Sequence, residues 1–155
     1  MFKKITFETA TQSDASSLAT LVLDVSQQSI LPYLESNGQN AYVASIQSDI
    51  NTVLNRSEYQ SVKASINNKL IGFAAMREGN YITHLFVDNQ YQATGVGKAL
   101  LARLMATSHA GEVSLKASLN AVSFYESQGF VVTGSQMSVN GIRFVPMVWQ
   151  NTHSK

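Results

Sequence analysis

Apolar and polar residues alternate over residues 3–8, the period of a strand with one covered face. The period then changes. After Ser13-Asp14, a pair suited to capping a helix, Leu18, Leu21, Val22 and Val25 recur at three- and four-residue intervals and make one apolar helical stripe. Residues 29–40 break that rhythm with Pro32 and Gly38 and are expected to loop between helices, the second helix running over residues 40–54. Residues 59–66 and 70–77, joined by Asn67-Asn68, read as a hairpin, and Gly79-Asn80 turns the chain into a further strand over 81–87. Val96, Leu100, Leu101, Leu104 and Met105 then form another helical face, best read as core. A strand over 112–117 follows, then a helix opened by Ser118 or Asn120 and stopped by Gly129. Strands over 130–139 and 142–150 flank Asn140-Gly141, the strongest hairpin signal in the chain. Pro146 marks a bulge or an edge in the closing strand, where a missing N–H is tolerated. The order β-α-α-β-β-β-α-β-α-β-β predicts an α+β or mixed α/β sheet with helices on both faces.

The chain has 155 residues, 45% of them hydrophobic, which is about one domain with a sizeable core. No repeat, low-complexity tract or linker divides it. Eleven Lys and Arg against ten Asp and Glu leave a net charge of +1, with no basic block, so nucleic acid is not an expected partner. No apolar run approaches a membrane span, and the first residues lack the apolar core of a signal peptide, so the expected location is the cytoplasm. With no cysteine, acyl transfer cannot pass through a thioester on the protein. His84, His109 and His153 stand far apart without partners at ligand spacing, and no metal is expected.

The chemistry concentrates in residues 84–98, HLFVDNQYQATGVGK, an apolar strand ending in a two-glycine turn that opens into a helix. The first N–H groups of a helix lack intrahelical partners and carry the positive end of its dipole, so such a turn is a cradle for an anion. Gly95 and Gly97 let the backbone approach a ligand closely, and Lys98 adds a cation. A P-loop would need glycine where Gln92 stands and Ser or Thr where Ala99 stands; a dinucleotide fingerprint would need a small residue at Leu100. Neither pattern is met.

The pattern that fits is Gln-x-x-Gly-x-Gly over Gln92–Gly97, with Val87 five residues earlier and Asn120-Ala-Val-Ser-Phe-Tyr125-Glu-Ser-Gln-Gly129-Phe130 downstream. In these motifs the chain resembles the GNAT-type N-acetyltransferase superfamily, over about residues 3–150. The resemblance implies a GNAT-like single domain spanning 1–155: a central, mostly antiparallel twisted sheet of about seven strands, splayed in the middle, with about four helices on its two faces. It implies acetyl-CoA as cosubstrate and direct transfer to a primary amine of a small molecule or peptide. The pyrophosphate would take N–H groups from Gln92, Ala93, Thr94, Gly95, Val96, Gly97 and Lys98. The pantetheine arm would lie along Leu85, Phe86 and Val87, one of whose amides polarises the thioester carbonyl.

By the same resemblance Tyr125 protonates the departing thiolate. Where relatives carry asparagine seven residues before that tyrosine this chain has Ser118, able to contact the arm or cap the helix, and Asn120 is a second candidate. Relatives that use a base on this strand place it at positions that here hold Tyr81 and Thr83. His84 has suitable chemistry, although alternation turns it to the opposite face unless a bulge intervenes. The acceptor is expected over the 29–40 loop and the final hairpin, where Tyr33, Glu35, Tyr42 and Gln136 could receive a cationic amine, with Tyr81 and Thr83 nearby. A homodimer through the last strands is a further expectation. Alternatives from other classes are a non-catalytic acyl-CoA sensor and a structural subunit.

Overall fold

The computed structural model describes residues 4–139 and 141–150. Strand β1 (Ile5–Thr9) leads through a 3-10 turn, pinned by the Thr11 N–H donating to Asp14 Oδ2 at 2.9 Å, into helix α1 (Ala15–Ser29). Helix α2 (Ser36–Val53) is followed by β2 (Tyr59–Ile66), β3 (Lys69–Arg77) and β4 (Tyr81–Val87). After the glycine turn come α3 (Val96–Thr107), β5 (Glu112–Ser118), α4 (Val122–Ser127), β6 (Val131–Val132), β7 (Met137–Val139) and β8 (Ile142–Gln150). The mixed α/β architecture expected from the order of elements is the one observed. The sheet runs β1-β2-β3-β4-β5-β8-β6, with β7 also on β8, and every pairing is antiparallel except β4 with β5.

Each face of the sheet carries its own core. Leu18, Val22 and Val25 of α1 pack with Ile46 and Ile50 of α2 on Phe73 and Ala75. On the other face Leu100, Leu101 and Leu104 of α3, with Tyr125 of α4, cover Ile71, Met76, Leu115 and Met147. At Gly72 a Cβ would stand 2.8 Å from Leu100 Cδ1, so the glycine lets α3 lie close to β3.

Three expectations need correction. Helix α2 begins at Ser36, not residue 40, because Gln39 Nε2 donates to the Leu31 and Leu34 carbonyls (2.9 and 3.1 Å) and ties the end of the loop to the new helix. Gly38 lies in the first turn of that helix, where its low propensity costs little. The β3–β4 turn centres on left-handed Glu78 and Gly79 rather than Gly79-Asn80. The expected strand over 130–139 is split into β6 and β7. Thr133 N–H donates to the Pro146 carbonyl, so the N–H that proline lacks also faces this side, and the ladder cannot continue past it. Asn140 of the expected Asn140-Gly141 turn lies outside the described residues. No helix among the described residues is long and apolar enough to cross a membrane.

Candidate active site

The site begins with an extra residue in β4. Ala75 pairs with His84 but Met76 pairs with Ile82, so Thr83 is a β-bulge, the device the sequence required if His84 was to reach the site. His84 sits against Phe73 and Phe86, each ring centroid 5.9 Å away, and lines a cavity of about 700 Å³. Burial pushes the imidazole pKa down to about 4, so it is neutral at pH 7. Its Nδ1 is 2.9 Å from Thr83 Oγ1, which itself donates to the Ala75 carbonyl at 3.4 Å. With its proton directed to Ala75, the hydroxyl accepts from Nδ1–H, and the lone pair resides on Nε2.

The β3–β4 ladder also decides which amides are free. Asp88 N–H donates to the Ile71 carbonyl at 2.8 Å, and alternation from that bond turns the Phe86 amide toward β3 and the Leu85 and Val87 amides away from it. Those two face a gap. Strand β5 pairs with β4 at Tyr81–Ser114 alone, and beyond that point the strands part.

Where β4 ends, Gln92 Nε2 donates to the Val87 carbonyl (3.1 Å) and to Asn89 Oδ1 (3.0 Å), closing the turn and giving the Val87–Gln92 spacing its reason. Ala93 (φ 62°) and Gly95 (φ 93°) are both left-handed and wrap the backbone around the start of α3. No side chain caps α3. The first intrahelical bond recorded there is from Ala99 N–H to the Gly95 carbonyl at 3.0 Å, so the amides of Val96, Gly97 and Lys98 remain open. Gln92, Ala93, Gly95, Gly97 and Lys98 line the cavity, whereas the Val96 side chain belongs to the core and the Thr94 hydroxyl is spent on the Tyr91 carbonyl. A Cβ on Gly97 would lie 3.6 Å from both Val87 and Phe124.

From α4, Tyr125 reaches the same cavity, 8% exposed and held edge-on between Phe124 and Phe130 at 5.2 and 5.6 Å. Burial pushes its phenol up to about 12. Its hydroxyl has no hydrogen-bond partner among the described residues. Ser118 Oγ donates to Asn120 Oδ1 at 2.9 Å rather than capping the following turn, and both residues line this cavity and an adjoining one of about 450 Å³.

These features, an open helix start, a parted strand pair and two proton-bearing side chains at one cavity, coincide with a sequence match. Residues 21–151 match the acetyltransferase (GNAT) domain. The chain belongs to the GNAT acetyltransferase family. Over 73 residues this GNAT chain is 38% identical to an uncharacterized N-acetyltransferase, YafP, of Escherichia coli K12, the match spanning 47% of each, so it covers about half of that relative. Its fold is that of a GCN5-related N-acetyltransferase from Rhodopseudomonas palustris (TM-score 0.79, 21% identity, 97% of this chain and 98% of the other). It is equally similar to the PaiA N-acetyltransferase from Thermoplasma acidophilum, solved in complex with coenzyme A (TM-score 0.80, 16% identity, 95% and 99%).

The residues expected around an acceptor are divided by the GNAT fold. Tyr33 lines the smaller cavity and Thr83 the larger. Glu35, Tyr42, Tyr81 and Gln136 line neither. Glu35 is the N-cap of α2, the Tyr42 hydroxyl bonds Ser26 at 2.8 Å, and the Tyr81 ring lies under Arg77 at 5.0 Å. In their place come Ser29 and Ile30 at the end of α1, and Lys116 and Arg143 from β5 and β8. Nothing local flags these; Lys116 stands in what reads as an ordinary strand.

Proposed function

We propose that this chain is an acetyl-CoA-dependent N-acetyltransferase moving the acetyl group directly to a primary amine. The observation that carries the reading is the gap beside β4, where the Leu85 and Val87 amides have no strand partner and open helix-start amides line the same cavity. Such a crevice fits an extended arm ending in a diphosphate. When bound, acetyl-CoA supplies an activated thioester. The Val96, Gly97 and Lys98 amides hold the diphosphate, and the Leu85 or Val87 amide donates to the carbonyl oxygen as it gains charge. Loss of one such donor in other enzymes costs about 3 kcal/mol.

His84 Nε2 receives the amine proton as the C–N bond forms, and Thr83 is the positioning residue that fixes its tautomer. Tyr125 keeps its phenol protonated across the physiological range and donates to sulfur as the C–S bond breaks. Since His84 titrates near 4, a rise in kcat/KM between about pH 6 and 9 reports the acceptor's own amine rather than this base. The test is thiol release from acetyl-CoA across a panel of primary amines. Amine-dependent release with N-acetylated product is expected, whereas tight binding of the intact thioester with no turnover would instead make the chain a sensor.

A further inference from the structure

The charge around the acceptor end of the site is one-sided. All ten carboxylate side chains of the chain lie among the described residues, and none lines either cavity. The cations there are Lys98 at the diphosphate cradle, Lys116 on the larger cavity and Arg143 on the smaller. Among the described residues the sole ion pair, Lys63 with Asp14 at 2.8 Å, is elsewhere, so neither Lys116 nor Arg143 is neutralised by a carboxylate. Lys116 Nζ lies 5.4 Å from the Phe144 ring centroid. The remaining lining of the smaller cavity is largely apolar or neutral: Ile30, Tyr33, Leu119 and Ile142 beside Ser29, Ser118 and Asn120.

A polycationic acceptor would meet Arg143 on the smaller cavity or Lys116 on the larger and find no counter-ion lining either, which costs affinity and slows encounter. We infer, resting on the transferase reading above, that the acceptor is an amine that also carries a carboxylate, in its simplest form an α-amino acid with an apolar side chain. Arg143, on the smaller cavity, supplies the positive charge for the carboxylate through a planar fork that matches it, and Lys116 adds to the positive field from the adjoining cavity. The apolar body packs on Ile30, Leu119 and Ile142, and the neutral amine faces His84.

The decisive comparison is leucine with leucinamide, the same side chain and amine with and without the acid, and spermidine as the polycation. Leucine is expected to show kcat/KM at least tenfold above leucinamide and spermidine. In Arg143→Gln that ratio should fall about tenfold through KM, with Arg143→Lys restoring part of it. Faster acetylation of leucinamide or spermidine, or an unchanged ratio in Arg143→Gln, would overturn the inference. Calorimetry of N-acetylleucine and N-acetylleucinamide on the CoA complex gives a second readout that needs no turnover. If no amine is acetylated the transferase reading fails, and the carboxylate assignment then stands or falls on whether N-acetylleucine binds tighter than its amide.

Discussion

The two ends of the cavity are built on different principles. At the end proposed for the diphosphate the open groups are main-chain amides of one continuous stretch, Leu85 to Lys98, held by hydrogen bonds within it such as Gln92 to the Val87 carbonyl. At the end proposed for the acceptor the lining groups are side chains from α1, β5 and β8, brought together by packing. A site made of backbone depends on shape and tolerates change in side chains, but not the addition of bulk where amides must be approached. A site made of side chains is specific, and can change its acceptor by single substitutions without disturbing the cradle.

The sharpest break of that contrast is at Gly97. A first carbon there meets only ordinary contacts at 3.6 Å, so Gly97→Val should fold, while its further methyls fill the crevice beside Val87 and Phe124. Acetyl-CoA affinity is expected to fall at least a hundredfold by calorimetry, with little change in unfolding midpoint; near-normal affinity would discard the cradle.

His84 offers a test on stability. Its folded pKa of about 4 is below the unfolded value of 6.5, so below pH 6.5 the unfolded chain takes up a proton that the native chain refuses. The contribution is complete above pH 6.5 and is lost as pH falls toward 4, at most about 3 kcal/mol. Urea midpoints for His84→Gln should lose this part of the slope; parallel wild-type and variant curves would mean the ring is not desolvated as described.

A smaller loss, roughly thirtyfold in kcat, is expected for Tyr125→Phe, below the hundredfold or more usual for a general acid because a thiolate is already a good leaving group. Its affinity for acetyl-CoA should stay within about twofold of wild type, since the ring packing is kept. Equal kcat for the two proteins would return Tyr125 to a packing role.

The mildest prediction concerns the acceptor end alone. Gly141 has φ 89°, and a Cβ there would stand 2.6 Å from the Tyr33 carbonyl, so Gly141→Ala must move the final hairpin off the α1–α2 loop. The acceptor KM should rise several-fold while acetyl-CoA affinity holds. A matched loss of both would show that the two ends are one coupled unit rather than separable halves.

What could be read in advance follows the same division. The period change from strand to helix, the Asn67-Asn68 turn, the glycine turn and the Gln92–Gly97 pattern are local, and the fold class and cradle follow from them. Residues 29–40 misled because Pro32 and Gly38 are breakers by propensity, yet Gln39 bonded to Leu31 and Leu34 starts the helix early. The 130–139 segment misled because the residue that interrupts it, Pro146, lies in another strand. Glu35 was expected to meet a cationic amine from its place in the 29–40 loop, but it stands at the N-cap position of α2 outside the cavity, which is lined by no carboxylate.

The order of elements and the glycine turn that opens α3 were legible in the chain alone, because hydrophobic period and glycine torsion act over a few neighbouring residues. That His84 is turned into the cavity by a bulge, that the Leu85 and Val87 amides are left unpaired, and that Lys116 and Arg143 line the two cavities follows only from the assembled fold. Each of those depends on which strand lies beside which, a matter of long-range packing that no local pattern encodes.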